Sequence, residues 1–149
     1  MTTVNKLLEG KQDETTIYSV AANDTVLQAL RVMAEADTGA VLVCDGDRII
    51  GIFTERDYAR DGELKGRCAK DTKVKEVMTS EMISVKPETT IDACMELITK
   101  HGIRHLPVVS NARIIGLVSI KDVVRALSED AESTINELEN YILGTGYGR

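Results

Sequence analysis

The chain writes one pattern twice. Residues 51–57 read GIFTERD, and residues 116–122 read GLVSIKD, 65 positions later. Sliding 19–60 by 65 lays it on 84–125 without a gap, and ten of the 42 positions are identical. They are Ser19/Ser84, Val20/Val85, Thr25/Thr90, Val43/Val108, Arg48/Arg113, Ile49/Ile114, Ile50/Ile115, Gly51/Gly116, Asp57/Asp122 and Arg60/Arg125. A fixed internal period makes a repeated supersecondary unit the first constraint on the fold.

Each copy reads the same way. A short extended piece, IYSV or MISV, leads into DTVLQALRVMAEA or ETTIDACMELITK. Val26, Ala29, Leu30 and Met33 recur at helical spacing, as do Ile91, Cys94, Met95 and Ile98. Asp24 and Thr89, with Thr25 and Thr90 beside them, are the candidate N-caps. Two apolar strands follow. The first pair turns at Asp45-Gly46, a hairpin signal, and the second through Ser110 and Asn111. A further helix starts at TERDYAR or SIKDVVRAL. The expected fold class is α+β, built from two β-α-β-β-α halves.

Short helical lead-ins, VNKLL at 4–8 and VKEVM at 74–78, stand before the copies; they align only if the first is allowed five extra residues. The expected organisation is one module over 1–149. The first repeat covers 3–62, a polar linker 63–73, the second repeat 74–128, and a C-terminal helix and tail 129–149. A unit of about 60 residues buries only about 60% of its extended surface. The halves are therefore expected to pack together about a pseudo-two-fold axis. In the tail, Ile135, Leu138 and Ile142 form an apolar stripe that needs cover from its own domain or a second subunit, and glycines at 144, 146 and 148 are expected to end the helix.

Composition narrows the chemistry. A net charge of −6 argues against a broad grip on nucleic acid. No apolar run approaches the ~20 residues of a membrane span, and the N-terminus lacks a signal-type apolar core. Cys44, Cys68 and Cys94 show no metal or disulfide spacing. A cytoplasmic globular protein is expected. His101 and His105 are four apart, but Gly102 is expected to end the helix between them, and no third zinc ligand is evident. No nucleophile has a recognisable base partner, no Walker or dinucleotide glycine pattern occurs, and no enzyme is expected.

The repeated [Thr/Ser]-x-x-Asp has two readings. At a strand-to-helix junction it is a capping box. The same geometry suits a ligand: free N–H groups at a helix start favour phosphate, and the hydroxyl of Thr54 or Ser119 adds a donor. Asp57 or Asp122 can accept from paired ribose-type hydroxyls, and Arg56 or Lys121 can reach an anion. Both readings can hold together.

These motifs, with VKEVMT, ISVKPETTI, GIRHLPVV and GLVSIKDVV in order, resemble a tandem pair of cystathionine-β-synthase (CBS) domains over residues 3–128. The tail NELENYILGTGY is similar to that of small free-standing CBS-pair proteins. The resemblance implies a regulatory module for an adenosine ligand such as AMP, ADP, ATP, NAD or S-adenosylmethionine, with no catalytic cofactor. It implies two clefts. In one, Thr54, Arg56 and Asp57 face Met82, Ile83, Ile103, Arg104 and His105. In the other, Ser119, Lys121 and Asp122 face Ile17, Tyr18, Thr38, Gly39 and Ala40. The first repeat lacks a match to Pro107 and puts Gly39-Ala40 where the second has Arg104-His105, so unequal sites are expected. A homodimer and a regulated partner protein are implied. The alternative is a structural interaction module with no nucleotide ligand.

Overall fold

The computed structural model describes residues 2–10 and 18–146, with side chains described as far as Asn140. Helix α1 (Val4–Glu9) opens the chain. The first repeat supplies β1 (Ser19–Ala21), α2 (Val26–Ala36), β2 (Ala40–Asp45), β3 (Arg48–Thr54) and a single helical turn, α3 (Glu55–Asp57). The second supplies α4 (Ile91–His101), β4 (His105–Ser110), β5 (Arg113–Ser119) and α5 (Ile120–Gly146). The class is α+β, as the repeat pattern predicts. The chain divides into two compact units, one of residues 16–83 and one joining the N-terminal segment to 84–149.

In the unit of 16–83, β1 pairs parallel with β2, and β2 pairs antiparallel with β3. Helix α2 starts in a full capping box between Thr25 and Gln28 and ends on Asp37 in the left-handed region. Its Val26, Ala29 and Met33 share one apolar core with Val20, Val41, Val43 and Phe53. Asp24 does not cap the helix. Its carboxylate accepts the Ala21 N–H at 2.9 Å and closes the preceding turn, while Thr25 is the cap. Thr89 does the same for the Lys86 N–H at 3.0 Å, and Thr90 caps α4. After α3 the helical run continues without a break, first as a wider π-type turn over Tyr58–Gly62 and then as a tighter 3-10 turn over Glu63–Lys65, so the expected second helix is irregular here.

The other unit departs at its first strand. The extended piece MISV becomes one parallel bridge, Val85 to Val108. The reason lies in the chain's two prolines. In the first repeat Leu42 N–H donates to Tyr18 and Ala22 N–H donates to Cys44, at either end of β1. The matching donors in the second repeat fall on Pro107 and Pro87, which have no N–H to give. Only the Val85 pair between them survives, at 2.9 and 2.8 Å. The β4–β5 turn also sits one residue later than expected: Ser110 pairs with Arg113, and Asn111 and Ala112 take positive φ of 52° and 62°. The second motif helix does not stop at the repeat boundary but continues as α5 through Gly144 to Gly146.

The lead-ins change places. Segment 72–77 packs on the first repeat, and segment 2–8 on the second. Val74 N–H donates to Asp24, Lys75 N–H to Ala22, and Val26 N–H to Thr72. At the matching positions Val4 N–H donates to Thr89, Asn5 N–H to Pro87, and Ile91 N–H to Thr2. Val74 and Val4 are both fully buried. The linker is likewise ordered against the first repeat, where the Ala69 carbonyl accepts the Leu27 N–H at 3.0 Å. This explains the repeated glycine. A Cβ on Gly51 would meet Met78 Sδ at 2.7 Å and the Thr79 carbonyl at 2.8 Å, and one on Gly116 would meet Leu8 Cδ2 at 2.9 Å.

Candidate functional site

Both [Thr/Ser]-x-x-Asp motifs stand where the last strand of a repeat ends and a helix begins. Thr54 holds extended backbone, and its hydroxyl accepts the Asp57 N–H at 3.1 Å. The Asp57 carboxylate reaches back to accept the Thr54 N–H at 3.0 Å. The second copy is congruent: Asp122 N–H to Ser119 Oγ at 3.2 Å, and Ser119 N–H to Asp122 Oδ2 at 2.9 Å. The capping-box reading therefore holds for both.

Each motif is bound to the loop that precedes its own repeat's hairpin. Ala40 pairs with Thr54, and the Gly39 carbonyl accepts the Glu55 N–H at 3.1 Å. Thr38 turns its hydroxyl onto the Ala40 carbonyl at 3.3 Å. In the second repeat His105 pairs with Ser119, and the Arg104 carbonyl accepts the Ile120 N–H at 2.8 Å. So the structure brings Thr38, Gly39 and Ala40 to Thr54 and Asp57, and brings Arg104 and His105 to Ser119 and Asp122. The first and third N–H groups of each helix start are already engaged, which leaves less of the terminus for a phosphate than a bare helix offers.

The remaining expected residues fall as follows. Tyr18 is exposed and its carbonyl holds β2, while Met82 and Ile83 are half-buried in the unit of 16–83. Ile103 is half-buried and its N–H donates to Ile98, and Pro107 is buried in β4. Arg56 and Lys121 are exposed one residue before their aspartates. Ile17 lies outside the described residues.

Thr79 is the residue that motif reasoning missed. Its hydroxyl donates to Asp57 Oδ1 at 3.0 Å, while its backbone N–H and C=O both pair with Ile52. The signal was in VKEVMT, but only the exchange of lead-ins carries that threonine to the first repeat's aspartate. Burial raises the Asp57 carboxyl above the ordinary aspartate range. Hydrogen bonds from Thr54 and Thr79 pull it partly back, and the nearby Asp61 charge adds to the rise.

The other candidates separate. His101 ends α4, Gly102 caps it at φ 62°, and His105 opens β4. Among the described residues no His, Cys, Asp and Glu gather as a metal site. Cys94 is buried and its thiol is pushed up to about 11, so it stays protonated at neutral pH.

A strand-to-helix capping box repeated after the α-β-β core of each unit defines the class, a tandem repeat module. The chain belongs to the CBS domain family, whose model matches residues 14–61 and 74–129. It is 38% identical over 153 residues to the mitochondrial CBS domain-containing protein CBSX3 of Arabidopsis thaliana, across 98% of this chain and 74% of that one. A solved protein with CBS domains from Burkholderia ambifaria is 48% identical with a TM-score of 0.83, covering 87% of this chain and 96% of that one. The CBS pair of protein MJ0100, solved with 5′-methylthioadenosine and S-adenosyl-L-methionine, shares the fold at a TM-score of 0.71 and 20% identity, over 87% of this chain and 98% of its own.

Proposed function

We propose that the protein is a non-catalytic regulator that binds an adenosine ligand at its paired motifs and alters a partner protein, with no role for nucleic acid or membrane. One observation carries this: the same aspartate is presented twice, in congruent geometry, at the end of the last strand of each repeat. A carboxylate so held can take the two vicinal hydroxyls of a ribose in charge-assisted bonds. The ligand-site residues are those of the sequence reading, with Thr79 added to the first repeat. AMP, ADP, ATP, NAD and S-adenosylmethionine are the ligands to test. The reading includes a cytoplasmic protein and a homodimer; exposed Ile135 and Leu138 on α5, which two-fold association would bury, support the homodimer.

Calorimetric titration of these ligands into wild type, Asp57→Asn and Asp122→Asn tests the site. Each substitution is expected to weaken binding at its own motif at least tenfold, because charge-assisted bonds to the ribose contribute about 1.5–3 kcal/mol each. A wild type that binds none of them refutes the reading. One feature favours the structural alternative: Asp57 already has both oxygens engaged by the chain itself. That reading predicts no ligand-induced rise in melting temperature, whereas a ligand at 100 times its Kd adds about 2.7 kcal/mol.

A further inference from the structure

Helix α5 runs for 27 residues, about 40 Å at 1.5 Å per residue. Buried Val123 and Ala126 seat its first turns. From Ala131 to Asn140 every residue is exposed, and Ile135 and Leu138 stand 54% and 57% exposed. At 100° per residue, Ile120, Val124, Leu127, Ala131, Ile135 and Leu138 fall on one stripe about 80° wide. Val124 at the start of that stripe is also 49% exposed. The expected stripe member Ile142 lies beyond the described side chains.

One flank of this stripe is polarised. Lys121 and Arg125 occupy it in the first half of the helix, and Glu132 and Glu139 occupy it in the second. We propose that α5 pairs antiparallel with α5 of a second copy, centred near residue 129. This rests on the homodimer proposed above and specifies its interface.

In that register Ile120 meets the partner's Leu138, Leu127 meets the partner's Ala131, and Val124 lies against the partner's Ile135. The small side chain of Ala131 lets the helices approach closely at the middle. On the flank, Arg125 faces the partner's Glu132, and Lys121 reaches the partner's Glu139. Two-fold symmetry makes every such contact twice. A parallel pair would instead set basic half beside basic half and acidic beside acidic, which charge patterning disfavours.

Sedimentation equilibrium of the full chain tests this with Arg125→Glu, Glu132→Arg and the double variant. Wild type is expected to dimerise, and each single variant to weaken the dimer about tenfold. An equimolar mixture of the two single variants should recover the affinity, as should the double variant. A monomeric wild type overturns the homodimer itself. A dimeric wild type whose single variants associate as tightly leaves the homodimer standing and overturns the α5 pairing, as does weakening without rescue.

Discussion

Asp57 shows how one side chain can be a structural cap and a ligand group at once. Its carboxylate closes the first turn of α3 and also holds Thr79, so removing it orphans two donors. Asp57→Ala is expected to cost about 1 kcal/mol of stability in urea unfolding. Asp57→Asn is expected to stay within about 0.5 kcal/mol, since its amide oxygen can accept the Thr54 N–H and its NH2 can donate to Thr79. The gap separates ligand loss from misfolding. The pH dependence has a definite sign. The folded-state pKa of Asp57 is raised, with burial as the largest cause. Its favourable contribution is then complete below the ordinary aspartate value of about 3.9, and it is lost as pH rises through the folded value. Asparagine does not titrate, so the stability of Asp57→Asn relative to wild type should improve across that window. A difference that stays flat or runs the other way, in melts from pH 3 to 7, would show that hydrogen bonding outweighs burial there.

At the scale of elements, the twin glycines report what crosses the hairpins. A methyl on Gly51 meets the backbone carbonyl of Thr79, a residue pinned to Ile52 through both its N–H and its C=O, whereas a methyl on Gly116 meets the end of the Leu8 side chain. Gly51→Ala is therefore expected to cost about 1–3 kcal/mol, the range for overpacking, and Gly116→Ala less, because Leu8 can rotate away. Equal losses in thermal melts would mean the two lead-ins are equally rigid. The second hairpin carries a correctable strain at Ala112, with φ 62°. Ala112→Gly should stabilise by about 0.5–1 kcal/mol in the same assay, since glycine bears no Cβ penalty in that region. The helices, the hairpins and both capping boxes were legible in the chain, because their signals are local: apolar spacing, turn residues and a hydroxyl three residues before a carboxylate. The missing strand at Val85 was less so. MISV has strand character, and its loss depends on which N–H groups Pro87 and Pro107 withhold from a neighbour far along the chain.

Over the whole molecule, the least legible feature is the exchange of lead-ins. Val4 and Val74 stand at equivalent places before their copies, and either arrangement, own repeat or other, buries the same valine in the same kind of groove. Hydrophobic periodicity cannot choose between them; the choice follows from chain path and packing. It has consequences for Thr79, which reaches Asp57 only because segment 72–79 covers the first repeat. The second repeat has no hydroxyl in that place, since Leu8 is followed by Glu9. This offers a physical basis for the unequal sites expected from Gly39-Ala40 against Arg104-His105. Deleting residues 2–9 tests the exchange directly. It removes buried Val4 and the donors to Thr89 and Pro87, so hydrogen-exchange protection should fall in 85–119, the second repeat. Protection in 19–54 should change little, because that sheet is covered by Val74 and Val77, which remain. Loss of protection in the first repeat instead, with the second intact, would mean that each lead-in serves the copy it precedes.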